Sequence, residues 1–166
     1  MGRNEDQIKK IMQKIESIKK EVLSQKNMQA IADSVADSIK LRTRSGKGVD
    51  EQGNLTKLDP LSDEYVETRK RKRNKLSPYA TPKKSNLTAT GQMLDSIDTA
   101  INGSSIIFFF KEQRTKELSG KSKNTNGQIA KYVEDGGRRF FGLSKFDKQM
   151  VLRQLRKIIS DAIDKN

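Results

Sequence analysis

Residues 96–111 read SIDTAINGSSIIFFFK, two runs rich in β-branched and aromatic side chains on either side of Asn102-Gly103. An Asn-Gly pair tolerates the positive φ that a two-residue hairpin loop demands, so this spacing predicts an antiparallel hairpin. Its second arm, Ile106 to Phe110, is apolar at every position. A half-solvated strand alternates apolar and polar residues. One that does not is central in a sheet, or has one face on a helix and the other on a neighbouring subunit. Ile107 and Phe109 are therefore candidate subunit-interface residues, beside the plainer reading in which both faces are core.

Helical patterns lie on both sides of this hairpin. Ile8, Ile11, Met12, Ile15, Ile18 and Val22 recur at helical spacing, as do Met28, Ile31, Ala32, Val35 and Ile39. At 100° per residue the second stripe falls roughly opposite the first on one continuous helix. Either the chain breaks near SQKN (24–27), or a single long helix touches different partners at its two ends. Past the hairpin, GQIAKYVEDGG (127–137) supports a helix that packs Ile129, Ala130, Tyr132 and Val133, with Gly136 as its C-cap. RRFFGLS (138–144) can add a short strand. Ser144 and Asp147 match a capping box, and Phe146, Met150, Val151, Leu155, Ile158, Ile159 and Ile163 make the last helix amphipathic.

The connecting segments are long. LRTRSGKGVDEQGNLTKLDP (41–60) has three glycines, a proline and no sustained periodicity, and reads as a loop. Pro60 and Ser62 then open a helix with Asp63, Glu64 and Glu67 near its positive pole; RKRKRNK (69–75), six cations in seven positions, closes it at the negative pole. Prolines in SPYATPKKSN (77–86) end that helix, and Thr88 or Thr90 caps a short one carrying Leu87, Met93, Leu94 and Ile97. EQRTKELSGKSKNTN (112–126) reads as an exposed, mobile loop. The fold class is α+β: a small antiparallel sheet (hairpin plus short strand) packed by long N-terminal and C-terminal helices, with long extended loops. One domain spans 1–166, with an N-terminal helical segment (1–40), a long loop with a basic helix (41–86), and the sheet with the C-terminal helix (87–166).

Composition narrows the chemistry. The 166 residues carry a formal charge of +13, densest in the middle third, which draws the protein towards polyanions. Absence of Cys and His removes disulfides, thiolate nucleophiles, imidazole bases and the usual zinc ligands. RSGKGVD (44–50) holds only a lone Gly-Lys where a phosphate-cradling loop needs G-x-x-x-x-G-K-[ST]. Asp33 with Asp37, and Asp50 with Glu51 and Asp59, read as solvated carboxylates without metal-loop spacing. The expectation is a non-enzyme with no cofactor and no metal. No apolar run approaches a membrane span, and MGRNEDQIKK (1–10) has neither a signal-peptide core nor the Ser or Thr at position 6 that myristoylation prefers, so no membrane contact is expected and synthesis is placed in a host cytoplasm. Arg69, Lys70, Arg71, Lys72, Arg73 and Lys75 are the candidate contacts for DNA or an acidic partner, although dipole complementarity explains their order without any ligand.

Four segments in order resemble the virion-morphogenesis or tail-completion proteins of tailed phages, a family of small neck and tail components. They are SGKGVDEQGNLTKLDPLSDEYVETRKRK (45–72), LTATGQMLDSI (87–97), IAKYVEDGG (129–137) and RRFFGLSKFD (138–147). The chain departs from the family pattern at Thr56 or Lys57, where Trp is frequent, and at Arg139, where Pro is frequent. The resemblance implies a structural virion protein of the neck or head-proximal tail end. It would complete the tail and join it to the head as a ring of its own copies, hexameric in the family. Its expected partners are a head-connector or adaptor protein and a tail tube or tail terminator protein, with non-specific contact to packaged DNA. The alternative is a basic accessory protein that binds nucleic acid without sequence preference.

Overall fold

The computed structural model describes residues 2–112 and 124–165. Helix α1 (Gly2–Val22) and helix α2 (Gln25–Arg44) are separate. The Ser24 side chain caps α2 by accepting from the Asn27 backbone N–H, and Asn27 Nδ2 donates back to the Glu21 carbonyl at 2.8 Å. Of the two readings of SQKN, the break holds. It frees the α2 stripe to turn into the core independently of the α1 stripe.

Helix α2 is the centre of the molecule. Met28, Ile31, Ala32, Val35, Ala36 and Ile39 are buried along one face. The C-terminal part of that stripe packs with Leu58, Met93, Leu94, Ile97, Ala130 and Phe140 into one cluster, joined at its margin by Phe108, Phe110, Met150 and Val151. Phe110, Phe140 and Phe141 form an aromatic trio within it, the closest pair with ring centroids 4.9 Å apart.

The sheet elements are two antiparallel ribbons. Strands β1 (Lys47–Val49) and β2 (Leu55–Lys57) pair from Lys47 with Lys57 to Val49 with Leu55, inside the segment whose composition reads as a plain loop. Asp50 closes their connection by accepting from the Asn54 backbone at 2.7 Å and the Asn54 amide at 2.9 Å. Strands β3 (Ile97–Asn102) and β4 (Ser105–Phe110) form the expected hairpin, with the loop one residue later than Asn102-Gly103. Asn102 pairs with Ser105, so the loop is Gly103-Ser104; φ is +59° at Gly103, which suits the first position of a type II′ turn. Residues 138–144 form no strand. The Arg139 carbonyl accepts from Val49 N–H at 3.0 Å, and Glu134 Oε1 takes the Phe140 and Phe141 N–H groups.

Helix α3 (Asp63–Arg71) is capped by Ser62 as its sequence implies, and a 3₁₀ turn (Arg73–Lys75) follows it. Helix α4 (Gln92–Asp95) is a single turn capped by Gly91 at φ +83°, not by Thr88 or Thr90; Thr88 is buried instead. Helix α5 (Asn126–Asp135) starts at a capping box of Thr125 and Gln128 and ends at Gly136, with Gly137 in the left-handed position. Most of the loop read over 112–126 lies outside the described residues. Helix α6 (Lys145–Asp164) carries the expected box of Ser144 and Asp147 and packs on both α1 and α2.

Asp147 does more than cap. Fully buried, it accepts from Ser144 N–H and Oγ, from Ser38 Oγ and from Arg42 Nη1. Arg42 Nη2 also donates to the carbonyls of Phe140 and Gly142. Burial pushes the Asp147 carboxyl up, but the donated hydrogen bonds and the Arg42 charge outweigh it and leave the carboxyl below its ordinary range. Desolvation also lowers Arg42, against the pull of Asp147. This knot fixes α2, α6 and the 138–144 segment against one another.

Candidate assembly surfaces

The first surface is the apolar stripe of α1. Its C-terminal residues Ile18 and Val22 are half-buried, whereas Ile8, Ile11, Met12 and Ile15 are between 56% and 63% exposed. A helix of 21 residues runs about 30 Å, so the first half of α1 carries its stripe away from the body that covers the second half. Burying one such side chain is worth about 1.5–3 kcal/mol, and here that gain is unrealised. The periodicity is legible in the sequence; that no described residue covers its first half is not.

The second surface is the outer face of the β3–β4 ribbon. Strand β4 pairs only with β3 among the described residues, and its two faces differ in exposure. Phe108 and Phe110 turn to the core, while Ile107 (47% exposed) and Phe109 (40%) turn outward. The reading with both faces in the core is set aside for this strand, and the two candidate interface residues stand on an open apolar face. Asp98, opposite Phe109, is paired with Lys111 at 2.7 Å, so the polar rim of this face is already satisfied.

A third apolar surface joins two residues of the amphipathic last helix, Phe146 and Met150, to two that belong to no sequence pattern, Leu41 and Leu55. Leu41, Leu55, Phe146 and Met150 line an open groove of about 550 Å³ between the end of α2, the β1–β2 ribbon and the start of α6. Leu41, Leu55 and Phe146 are all exposed. Leu41 falls one position past the regular α2 stripe and Leu55 sits in an otherwise polar ribbon, so neither belongs to a periodic pattern.

The basic residues separate into three groups. Lys70, Arg71, Arg73 and Lys75 are exposed around the end of α3, with Lys70 bonded to Glu67 at 2.5 Å; Lys72 is half-buried. Arg69 is only 1% exposed and points inward, so it does not share their surface. A third group was not anticipated: Lys47, Lys57, Lys83 and Lys84 line an open groove of about 790 Å³ beside the β1–β2 ribbon, with Asp59 the sole acidic side chain in its lining. These four come from three separate segments, and only the fold brings them together.

Among the described residues no cluster of three or more Asp, Glu, His or Cys is placed to hold a metal ion. Asp33 and Asp37 are exposed on α2, where Asp33 accepts from Gln29 at 2.8 Å. No described helix is long and apolar enough to cross a membrane. Comparison with family models, with curated proteins and with solved structures returns no match for this chain.

Proposed function

We propose that this chain is a structural subunit of a tailed-phage virion, at the neck or head-proximal end of the tail, that completes the tail and joins it to the head by forming a ring. The observation that carries this reading is a set of three separate apolar faces that no described residue covers on one highly charged chain: α1, the outer face of β4, and the groove at Leu41 and Phe146. Large exposed apolar surface on such a chain marks contact with other proteins. Because the faces are distinct, a contact of one face with another is heterologous, and heterologous contacts close into rings when the rotation permits. The order of the four segments that resemble tail-completion proteins supports the same reading, with a head-connector or adaptor on one side and a tail tube or terminator on the other.

Immunogold labelling of virions tests it. Antibody against this chain is expected to label the head–tail junction; virions that bind the antibody nowhere contradict it.

The basic groove of Lys47, Lys57, Lys83 and Lys84 favours a second reading, in which the chain binds nucleic acid without sequence preference. In the ring reading the same groove meets packaged DNA, and repetition around the ring multiplies weak contacts.

A further inference from the structure

Among the described residues two arginines are buried, in different surroundings. Arg42 faces a carboxylate and two carbonyls. Arg69, at 1% exposure, has a single hydrogen bond, from Nη1 to the Lys84 carbonyl at 3.0 Å; its Nε and Nη2 are buried without a partner. No described carboxylate pairs with it. Tyr65 lies over the guanidinium at 5.9 Å from the ring centroid, the outer limit of a useful cation–π contact. A guanidinium stays charged, so taking it out of water with two donors unanswered is costly.

Beside it is a cavity of about 340 Å³. Arg69 and Tyr65 line it, and its other walls are mainly apolar, from Leu61, Leu87, Met93, Ile129 and Val133. Arg138 also reaches it but is committed to the carbonyls of Asp59 and Pro60, at 3.3 and 2.9 Å. The volume is within the range of small-molecule sites, and the combination of apolar walls with one unsatisfied cation defines what fits.

We propose that this cavity binds a carboxylate carried on an apolar group. The carboxylate pairs with Nε and Nη2 of Arg69, a fork that matches its two oxygens, while the apolar part lies against Leu87, Met93 and Val133. A phosphate fits less well, because two free donors leave a third oxygen and a second charge facing apolar walls. Because Nε and Nη2 are sealed, binding requires a side chain of the cavity wall to move, and Tyr65, 39% exposed with its ring 5.9 Å from the guanidinium, is the one the proposal assigns to swing. The inference is independent of assembly, since the cavity shares no residue with α1, β4 or the Leu41 groove.

Two sources of the group are separable: a free acid, or the C-terminal residue of a peptide. Isothermal titration of the full chain uses 4-phenylbutyrate against its neutral amide, and acetyl-Gly-Ser-Leu-Phe as free acid against its C-terminal amide. Saturable binding is expected for at least one acid, with its amide weaker by about tenfold or more, in keeping with a charge-assisted hydrogen bond. Arg69→Met, which replaces the guanidinium with an apolar chain, is expected to abolish binding of the acid. Equal affinity for acid and amide overturns the proposal, as does folded Arg69→Met with wild-type affinity, or no saturable binding of either acid up to about 10 mM. If Arg69→Met does not fold, the acid and amide comparison on the wild-type chain decides alone.

Discussion

Asp147, in the first turn of α6, and Arg42, in the last turn of α2, form a buried ion pair across 105 residues of chain. The pair joins the two helices through the polar side of a fold whose apolar side is a small cluster around α2. Removing one member leaves the other charged and buried, which typically costs roughly 3–5 kcal/mol. Asp147→Ala also loses the capping box, so its expected destabilisation is at the upper end of that range. Urea unfolding followed by circular dichroism measures it. A loss below about 1 kcal/mol would show that the knot contributes little.

The same pair sets a pH dependence. The folded Asp147 carboxyl lies below its ordinary value, so folding favours the deprotonated form. Its contribution is fully present above the unfolded carboxylate range, near pH 4, and is lost as pH falls through the lower folded pKa. Glu67 and Asp98 are also lowered, chiefly by side-chain hydrogen bonds from Lys70 and Lys111, but Glu67 is exposed, Asp98 is half-exposed, and salt screens both pairs. Acid destabilisation in high salt is therefore expected to be shallower in Asp147→Asn than in the wild type. Superimposable pH profiles in high salt would refute this.

Gly48 in β1 has no room for a side chain. A Cβ there would overlap the Arg139 carbonyl oxygen and come within 2.9 Å of Leu58 Cδ2. Since backbone on one side and buried Leu58 on the other resist movement, Gly48→Ala is expected to destabilise by about 1–3 kcal/mol. The amide of Val49, which donates to Arg139, should then lose protection from hydrogen exchange.

On α1 stability and assembly should separate. Ile11→Lys with Ile15→Lys changes exposed positions and is expected to alter unfolding free energy by no more than about 0.5 kcal/mol per site. Sedimentation of the chain mixed with isolated tails is expected to show that the double variant no longer co-sediments while the wild type does. Retained co-sedimentation removes α1 from the interface.

The basic groove can be tested apart from the α3 end. Changing Lys47, Lys57, Lys83 and Lys84 to Gln is expected to leave the fold intact and flatten the salt dependence of DNA binding, since each lost phosphate contact lowers the slope by about 0.9. The same change at Lys70, Arg71, Arg73 and Lys75 should flatten it less. The reverse order would return the DNA contact to the α3 end.

Local signals in the chain were legible and long-range ones were not. The α2 stripe, the Ser62 cap and the Ser144–Asp147 box depend on neighbours a few positions away, and all formed as read. The β1–β2 ribbon escaped notice because its strands are three residues long and β2 is exposed throughout, so no alternation marks it. Arg42 as the partner of Asp147, and the inward turn of Arg69 within a run of cations, depend on residues far along the chain. Helical periodicity tells which side chains share a face; it does not tell what covers that face. For α1 and β4 the described residues leave the face open, which supports the assembly reading that the resemblance implies.

The most direct test is a joining assay. A phage whose copy of this gene is interrupted is expected to yield lysates of DNA-filled heads and separate tails, and the purified chain added to such a lysate should produce joined, infectious virions. Joined virions at the wild-type frequency without the chain, or no gain in joining on adding it, would contradict the proposed role in tail completion.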